Sequence, residues 1–363
     1  MIMRFMDTYF GRYVLVLIGV LQVCIGCSNS SGEATADGGV SNKPICGQTP
    51  RILVDYVQYV PDAGQMAIQV PDIAVDATHL YFVLNWTIPQ PPQSGSIVGT
   101  QEGVVMRVPL SGGAAEVVAS LPGGGSQSGE GLALTQDTIL LAVGKKGEET
   151  SGSIVSLAKA GGDMTVLAST NGVAQSLVVN KGDVYFADDK ATKKVPISGG
   201  SVHTIVAETG SLGVANGKVY LADRDANSVS LIPTASGSVT LLAENQPVPM
   251  YPRQCGVDLC WISGPSTNEY GSSIVRLSEG MDPKTVISNI FEPHGLVFDG
   301  KNFFVTEGGG GVSLIRIPAQ GGTPKVVRAE SNIIGMALDK TCLYWSSRAG
   351  ISSLALSAAD GTT

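Results

Sequence analysis

The sequence predicts an all-β fold, a β-propeller of seven four-stranded blades, and three observations predict it. The same order of four short strands recurs about every 44 residues, which is the period of a propeller blade. Within each repeat the strands alternate polar and apolar residues or are continuously apolar. Glycine is abundant, at 46 of 363 residues, as the tight turns between such strands require. A six-bladed ring is the alternative, because the second repeat is divergent and the first boundary falls in a long gap.

Each repeat places an anchor residue, most often aromatic, in its second strand. A first strand rich in Gly, Ala and Val precedes the anchor, as expected for innermost strands that crowd around a central channel. Third and fourth strands follow, and Gly-Gly pairs between them supply the positive φ of a tight hairpin. The anchors of the repeats are Tyr81, Leu140, Tyr185, Tyr220, Cys260, Phe303 and Tyr344.

The two ends of the repeat region complement each other. The seventh repeat stops after its third strand, whereas residues 51–60 form an alternating strand that belongs to no repeat. We therefore expect the N-terminal strand to complete the last blade, which removes two exposed sheet edges. The predicted propeller is a single domain over residues 46–363.

The segment before the propeller predicts export and lipid anchoring. An apolar run over residues 13–26 is too short to span a bilayer and predicts a signal peptide over residues 1–26. The run ends in Cys24-Ile25-Gly26-Cys27, which resembles a bacterial lipobox except that Cys24 stands where leucine is usual. The resemblance implies that Cys27 is lipidated and becomes the mature N-terminus. An ordinary signal peptide with an incidental cysteine is the alternative.

Residues 27–45 are polar, with Ser and Gly the commonest residues, and predict a flexible tether. Ser28 follows the lipobox cysteine, and by resemblance to lipoprotein sorting the absence of aspartate there implies the bacterial outer membrane. We therefore expect a protein of the cell envelope that contacts the membrane only through its N-terminal lipid.

Two repeat units carry a resemblance to a known class of repeats. The units VYFADDKATKKVPISGG and VYLADRDANSVSLIP resemble the YWTD/NHL-type repeats of Gly-rich bacterial secreted propellers. The segment EPHGLVFDGKNFFVTE resembles a streptogramin-lyase-like repeat. The resemblance covers roughly residues 68–357 and implies the fold, but this architecture hosts unrelated activities.

The cysteines predict two disulfide bonds, because an exported chain matures in an oxidising compartment. Cys255 and Cys260 bracket the turn between the first two strands of repeat five and should face each other across that hairpin. Cys46 precedes the closing strand and Cys342 lies in repeat seven, so a bond between them would staple the ring. Two free thiols at Cys46 and Cys342 are the alternative. The mature chain retains no CxxC pair, and zinc is therefore not predicted.

The charge balance excludes one class of partner. Lys and Arg number 23 against 31 Asp and Glu, a formal net charge of -8, which excludes a basic nucleic-acid-binding surface. At 43% hydrophobic residues the chain is also too apolar to be disordered. It contains no HExxH, GxSxG, Walker or GxGxxG motif.

The predicted binding residues lie on one rim of the propeller. Loops that enter each first strand and turns between second and third strands share one end of the ring. The Pro-rich insertion Asn85–Gly103 in repeat one could join Met250 of repeat five in a binding rim, because stiff loops lose little entropy on docking. Glu130 belongs to the same rim, and the binding residues we predict there are Trp86, Tyr251, Arg253, Asp188, Asp223 and Arg348.

His294 and Glu307 are the catalytic candidates. His294 begins the first strand of repeat six and Glu307 ends the second, so we expect them to be cross-strand neighbours. Such a pair could serve as general base and orienting acid, and the streptogramin-lyase-like resemblance implies histidine and acid on that face. The alternative function is therefore a propeller lyase or lactonase, with a divalent cation such as Ca²⁺ as its possible cofactor.

The favoured function is that of a monomeric, envelope-anchored binding module without catalysis or cofactor. Its partner would be an envelope protein, a peptide or a glycan. A complete ring without a catalytic motif favours this hypothesis over the enzyme.

Overall fold

The computed structural model describes residues 46–55, 59–60, 68–89, 99–125, 130–145, 148–264, 270–308, 313–330 and 332–359. These residues belong to one compact unit, Asn42–Thr363. The predicted signal peptide, the lipidation site at Cys27 and the tether over residues 27–45 lie outside the described residues. Within the described part of the chain, no helix has the length and apolarity needed to cross a membrane.

The described residues form seven antiparallel sheets, which are the blades of a β-propeller. The closing strand and blades 1 to 3 contain β1 Arg51–Val54; β2 Ile68–Gln69, β3 Ile73–Val75, β4 His79–Pro89, β5 Gly99–Pro109 and β6 Glu116–Leu121; β7 Leu132–Leu134, β8 Thr138–Lys145, β9 Glu148–Ala158 and β10 Thr165–Asn171; β11 Ser176–Asn180, β12 Asp183–Ala187, β13 Thr192–Pro196 and β14 His203–Val206.

Blades 4 to 7 follow the same order from the channel outward. They contain β15 Ser211–Ala215, β16 Lys218–Asp223, β17 Ser228–Leu231 and β18 Thr240–Ala243; β19 Met250–Cys255, β20 Asp258–Ser263, β21 Tyr270–Leu277 and β22 Lys284–Phe291; β23 His294–Phe298, β24 Asn302–Glu307, β25 Ser313–Pro318 and β26 Lys325–Ala329; β27 Met336–Leu338, β28 Cys342–Ser347, β29 Gly350–Ala355 and the short helix α1 Leu356–Ala359.

The N-terminal strand closes the ring as the outermost strand of blade 7. The strand order of that sheet is β1-β29-β28-β27, and β1 pairs antiparallel with β29, with Arg51 opposite Ser353. The predictions of seven four-stranded blades and of N-terminal closure are therefore confirmed, and the six-bladed alternative is wrong. Blade 1 has one additional short strand, β2, which pairs with the far part of β4.

The hydrophobic core is divided among the contacts between neighbouring blades. Seven clusters of buried side chains are present, and each combines residues from two adjacent blades. Alternation along each second strand explains this arrangement, because successive side chains point to opposite faces of the sheet. In β4, for example, Phe82 packs toward blade 7 and Tyr81 toward blade 2.

Both predicted disulfide bonds are present. Cys46 is bonded to Cys342 across a sequence separation of 296 residues, with Cα atoms 6.0 Å apart. Cys255 is bonded to Cys260 within one hairpin. The second pair does not face directly, because Cys255 lies opposite Asp258 and Cys260 opposite Arg253, so the bond runs diagonally across the hairpin.

Every outer strand carries an extra residue at the same place in its register. The residue before the extra one is exposed to solvent, and the extra residue itself packs toward the neighbouring blade. The regular pairing then continues. Such bulges bend and twist an edge strand, which discourages pairing with a second chain. The extra residues are all apolar: Leu53, Val118, Leu167, Ile205, Leu242, Val286 and Val327.

Candidate functional site

The ring encloses a central cavity of about 1190 Å³. The first strands of all seven blades line it, and their apolar side chains form most of its wall, among them Ile73, Leu132, Leu177, Val214 and Leu296. Polar residues gather at the end where the chain enters the first strands: Glu130, Asp189, Arg224, Asp225, Glu292 and His294. The cavity therefore has a polar mouth and apolar walls, as small-molecule and peptide sites commonly have.

Blade 5 breaks the pattern of its first strand at Arg253. In six blades, the residue opposite a large anchor is small: Ala74, Ala133, Val178, Gly213, Val297 and Ala337. Blade 5 reverses the sizes, with Arg253 opposite Cys260. The register also corrects one anchor, because Phe304 rather than Phe303 lies opposite the small residue in blade 6. The reversal gives the long arginine side chain room beside the small cysteine.

Arg253 and Glu130 form an ion pair on the cavity wall. Arg253 Nη2 lies 3.1 Å from Glu130 Oε1, and the two residues come from blade 5 and from the segment entering blade 2. Ser211 Oγ lies 2.9 and 2.7 Å from the two carboxylate oxygens of Glu130. Arg253 Nη1 also donates to the carbonyl oxygens of Leu212 and Pro252, at 3.3 and 3.2 Å. This network crosses the ring between blades that are not neighbours.

Burial raises the pKa of Glu130 above its usual range. The charge of Arg253 and hydrogen bonds from Ser211 and Ser176 act in the opposite direction but do not cancel the loss of hydration. A carboxylate that is buried in this way takes up a proton more readily than one in water. Glu130 can therefore lose its negative charge without leaving the cavity wall.

Asp72 is a second buried carboxyl group near Glu130. It is 2% exposed, and its Oδ1 accepts a hydrogen bond of 2.9 Å from the backbone amide of Gly131. Its Oδ2 has no hydrogen-bond partner among the described residues. Burial raises its pKa to about 7, the Gly131 bond opposes this, and the charge of Glu130 raises the pKa further.

Hydrogen bonds link neighbouring blades around the cavity mouth. The amide of Leu212 donates to Ser176 Oγ at 2.8 Å, and the amide of Tyr251 donates to Ser211 Oγ at 3.0 Å. Tyr251 in turn bonds the backbone of Gly295, and its burial beside Glu130 raises its pKa to about 12. In blades 3 and 4, the serine that begins the first strand thus bonds the backbone of the next blade, which preorganises this part of the mouth.

Strained backbone clusters where the chain enters blades 5 and 6. Val248, Tyr251 and Glu292 have φ of 41°, 54° and 41°, in the left-handed region that favours glycine. Such residues cost about 1–3 kcal/mol each and persist where the surrounding structure holds them, often at functional sites. The strain coincides with the one first strand that departs from the repeat pattern.

The predicted pairing of His294 with Glu307 is wrong. His294 lies opposite Thr306, and Glu307 lies opposite Ser313 on the third strand. A bulge at Gly295, with φ of 73°, shifts the register, and Glu307 Oε1 instead accepts a 3.0 Å bond from the amide of Phe291.

His294 itself lines the cavity at its mouth. Desolvation by the surrounding walls lowers the pKa of its imidazole, and the charge of Glu292 partly offsets this. The imidazole is therefore mostly uncharged at neutral pH. Among the described residues, no three His, Cys, Asp or Glu side chains converge closely enough to hold a metal ion.

Asp188 and Asp223 are occupied in shaping the turns between second and third strands. The Asp188 side chain is 0% exposed, and Lys193 Nζ lies 2.6 Å from its Oδ2. Burial acts to raise the pKa of Asp188, but Lys193 and bonds from Asn171 and Lys190 lower it below its usual range. Asp223 Oδ1 accepts two bonds of 2.9 Å from amides within its own turn. Asp188 is nevertheless among the residues that line the cavity, whereas Asp223 is not, and ligand binding by either carboxylate stays a prediction.

The remaining predicted binding residues fall in different places. Tyr251 and Arg253 line the cavity. Trp86 is not among the lining residues. The described ends of the insertion, residues 85–89 and 99–103, extend β4 and β5, where Trp86 pairs with Glu102 and packs on the core between blades 1 and 7. Arg348 is exposed in the turn between β28 and β29, outside the cavity lining.

No protein-family profile matches the chain, and no curated protein matches it. Among solved structures, it is similar to the WD40 β-propeller domain of Doa1, with a TM-score of 0.52 and 14% identity over 79% of this chain and 92% of that chain. BamB from Moraxella catarrhalis gives a TM-score of 0.48, with 10% identity over 80% of this chain and 97% of that one. Regucalcin, a calcium-binding protein from Agrobacterium tumefaciens, gives 0.38, with 20% identity over 46% and 63%. The Doa1 similarity supports the β-propeller fold alone.

Sequence reasoning missed Asp72 and Ser211 and did not pair Glu130 with Arg253. The first two sit at the starts of first strands, where isolated polar residues give no signal of their own. One usable signal was present: an arginine stands opposite a cysteine where six other repeats place a small residue opposite a large one. This signal can be recognised only when the strand register is known. Aligning the repeats on their turns provides that register.

Proposed function

We propose that this protein is an envelope-anchored binding module whose central cavity holds part of a protein, peptide or glycan partner. The observation that carries the proposal is Arg253, which breaks the repeat pattern and lines a preorganised, partly apolar cavity. A residue that departs from six equivalents and lines this central cavity is better explained by binding than by folding.

Anchoring is part of the same proposal and rests on the sequence. The lipobox-like Cys24-Ile25-Gly26-Cys27 supports lipidation of Cys27, and Ser28 supports the outer membrane. The resemblance of the repeats to YWTD/NHL-type secreted propellers is consistent with an exported binding module. Mass analysis of the mature N-terminus tests the anchor: a diacylated or triacylated Cys27 is expected, and an unmodified N-terminus at another residue would contradict it.

The binding function is tested by comparing two charge insertions on the full-length protein. Met250→Glu places a carboxylate on the cavity wall, and Val166→Glu places one on an outer strand, where Val166 is 61% exposed. We expect the Met250 variant to lose at least tenfold in affinity for a partner captured from envelope extract and the Val166 variant to retain it. Equal retention by both variants would contradict a cavity site.

A further inference from the structure

Arg253 keeps hydrogen-bonding capacity on the cavity side. Its Nη1 contacts two carbonyl oxygens and its Nη2 contacts Glu130, whereas among the described residues no group accepts a bond from its Nε. Its side chain is 33% exposed, and it lines the cavity. A guanidinium group presents donors in a planar fork that matches a carboxylate.

The arginine is held in place by its hairpin. Arg253 lies opposite Cys260, and the bond between Cys255 and Cys260 cross-links the same two strands. Gly213 of the neighbouring first strand packs directly on Pro252, where a Cβ atom would meet the Pro252 carbonyl. The guanidinium therefore costs little further ordering when a ligand binds, which favours affinity.

Glu130 currently balances the charge of Arg253, and it can be neutralised in place. Its carboxylate already contacts the hydroxyl of Ser211, so a protonated Glu130 retains a hydrogen-bond partner. Burial favours the neutral form of Glu130, whereas the charge of Arg253 and the hydrogen bonds from Ser211 and Ser176 favour the ionised form. The carboxyl group of Asp72 also interacts with Glu130, and two like charges in one buried region disfavour ionisation of both. A second carboxylate at Arg253 would favour protonation of Glu130 further.

The carboxylates at the cavity mouth disfavour ligands that carry several negative charges. Asp189 and Asp225 are exposed carboxylates beside the exposed guanidinium of Arg224. A polyanion would meet these carboxylates, whereas a single carboxylate on an apolar body passes them and contacts the apolar wall formed by Leu132, Leu177 and Val214.

We propose that the cavity binds a ligand with one carboxylate on an apolar body, that the carboxylate bonds to Arg253, and that Glu130 takes up one proton from solvent on binding. The charge balances: the ligand anion and one proton enter together, and Arg253 exchanges the Glu130 carboxylate for that of the ligand. The inference rests on the proposed binding function and names the chemistry that its cavity would recognise.

Octanoate, with octan-1-ol and octylamine as matched controls, tests the proposal on the full-length protein by isothermal titration calorimetry. We expect octanoate to bind at least tenfold more tightly than either control at pH 7. Titration in two buffers with different ionisation enthalpies should show uptake of about one proton for each octanoate bound. Affinity should rise by up to about tenfold per pH unit between pH 8 and pH 6, because proton uptake is linked to binding.

Two variants assign the effect to the pair. Arg253→Met should abolish the preference for octanoate over octan-1-ol. Glu130→Gln should bind octanoate at least as tightly as the unaltered protein does at pH 6, with no proton uptake and little dependence on pH. Thermal unfolding and intact disulfides confirm that each variant is folded.

Three results would overturn the proposal: no octanoate binding, an equal affinity for octylamine, or binding without proton uptake in the unaltered protein. All three measurements use the unaltered protein, so the proposal can be rejected even if a variant fails to fold. If capture of a partner depends on Met250 but octanoate does not bind, the binding function remains supported. Only the proposed ligand chemistry is then rejected.

Discussion

At the scale of single residues, the cavity is defined by charged groups removed from water. Arg253 and Glu130 come from separate parts of the chain, and the closed ring brings both to the cavity wall, with Asp72 buried within electrostatic reach of Glu130. A buried ion pair adds little to stability, because desolvation offsets the attraction. Their retention in a wall that other blades build from small apolar residues is therefore better explained by recognition than by folding.

Asp72→Asn should flatten the pH dependence of stability. The pKa of Asp72 is raised from 3.8 to about 7 in the folded protein, so the folded state holds a proton that the unfolded state releases within this window. Its contribution to stability is complete below pH 3.8 and is lost as the pH rises through about 7, a difference of up to about 4 kcal/mol. Asparagine keeps an acceptor for Gly131 but does not titrate.

Urea unfolding between pH 4 and pH 8, followed by circular dichroism, measures this effect. The unaltered protein should lose more stability than the variant as the pH rises across this range. Parallel profiles for the two proteins would show that Asp72 is not the group that titrates.

Ser211→Ala should destabilise the protein by about 1–3 kcal/mol. The change removes one hydrogen bond to the buried Glu130, which keeps its ion pair with Arg253, and it removes the acceptor for the amide of Tyr251. Ser236→Ala is the control, because the Ser236 hydroxyl is exposed and donates only to the Thr204 carbonyl. It should change the free energy of unfolding in urea by less than about 0.5 kcal/mol. Equal losses would contradict a special role for Ser211.

At the scale of strands and hairpins, the sequence predicted pairing well and register poorly. Turn residues and alternation located the strands of all seven repeats, because both signals are local. The bulges were not predicted, since the extra residues such as Leu53 and Leu167 are as apolar as their neighbours. The same limitation misplaced His294, because one residue in the left-handed region at Gly295 moved the strand by one position.

Adjacent residues on one outer strand should respond in opposite ways to truncation. Leu167 is the extra residue of the β10 bulge, is 8% exposed and packs between blades 2 and 3, whereas Val166 is 61% exposed. Leu167→Ala should cost about 2–4 kcal/mol, because it removes buried methyl groups and leaves a cavity. Val166→Ala should cost less than about 0.5 kcal/mol. Similar values for the two variants would mean that the bulge does not direct Leu167 inward.

At the scale of the whole molecule, closure joins the two ends of the propeller by a strand and by a covalent bond. The sequence predicted both, because an unpaired strand at one end matched a missing strand at the other. The cross-chain contact between Glu130 and Arg253, 123 residues apart, could not be predicted in this way, since it depends on which side chains meet across the finished ring.

The two disulfides should contribute unequally to stability. In the chain-entropy model, a bond that closes a loop of nearly 300 residues adds about 6 kcal/mol, and one that spans a short hairpin adds about 2 kcal/mol. The double variant Cys46→Ala/Cys342→Ala should therefore lose more stability in urea than Cys255→Ala/Cys260→Ala. A larger loss for the hairpin pair would contradict ring closure as the main function of the long-range bond.

The position of Cys46 also determines how the propeller responds to mechanical tension. Cys46 comes before β1 in the chain and is bonded to Cys342 at the start of β28. A force applied to the chain before Cys46 therefore passes through the sulfur atoms into blade 7 and does not pull on β1. The strand that closes the ring lies outside the load path, so it cannot be peeled away from that end until a covalent bond is broken.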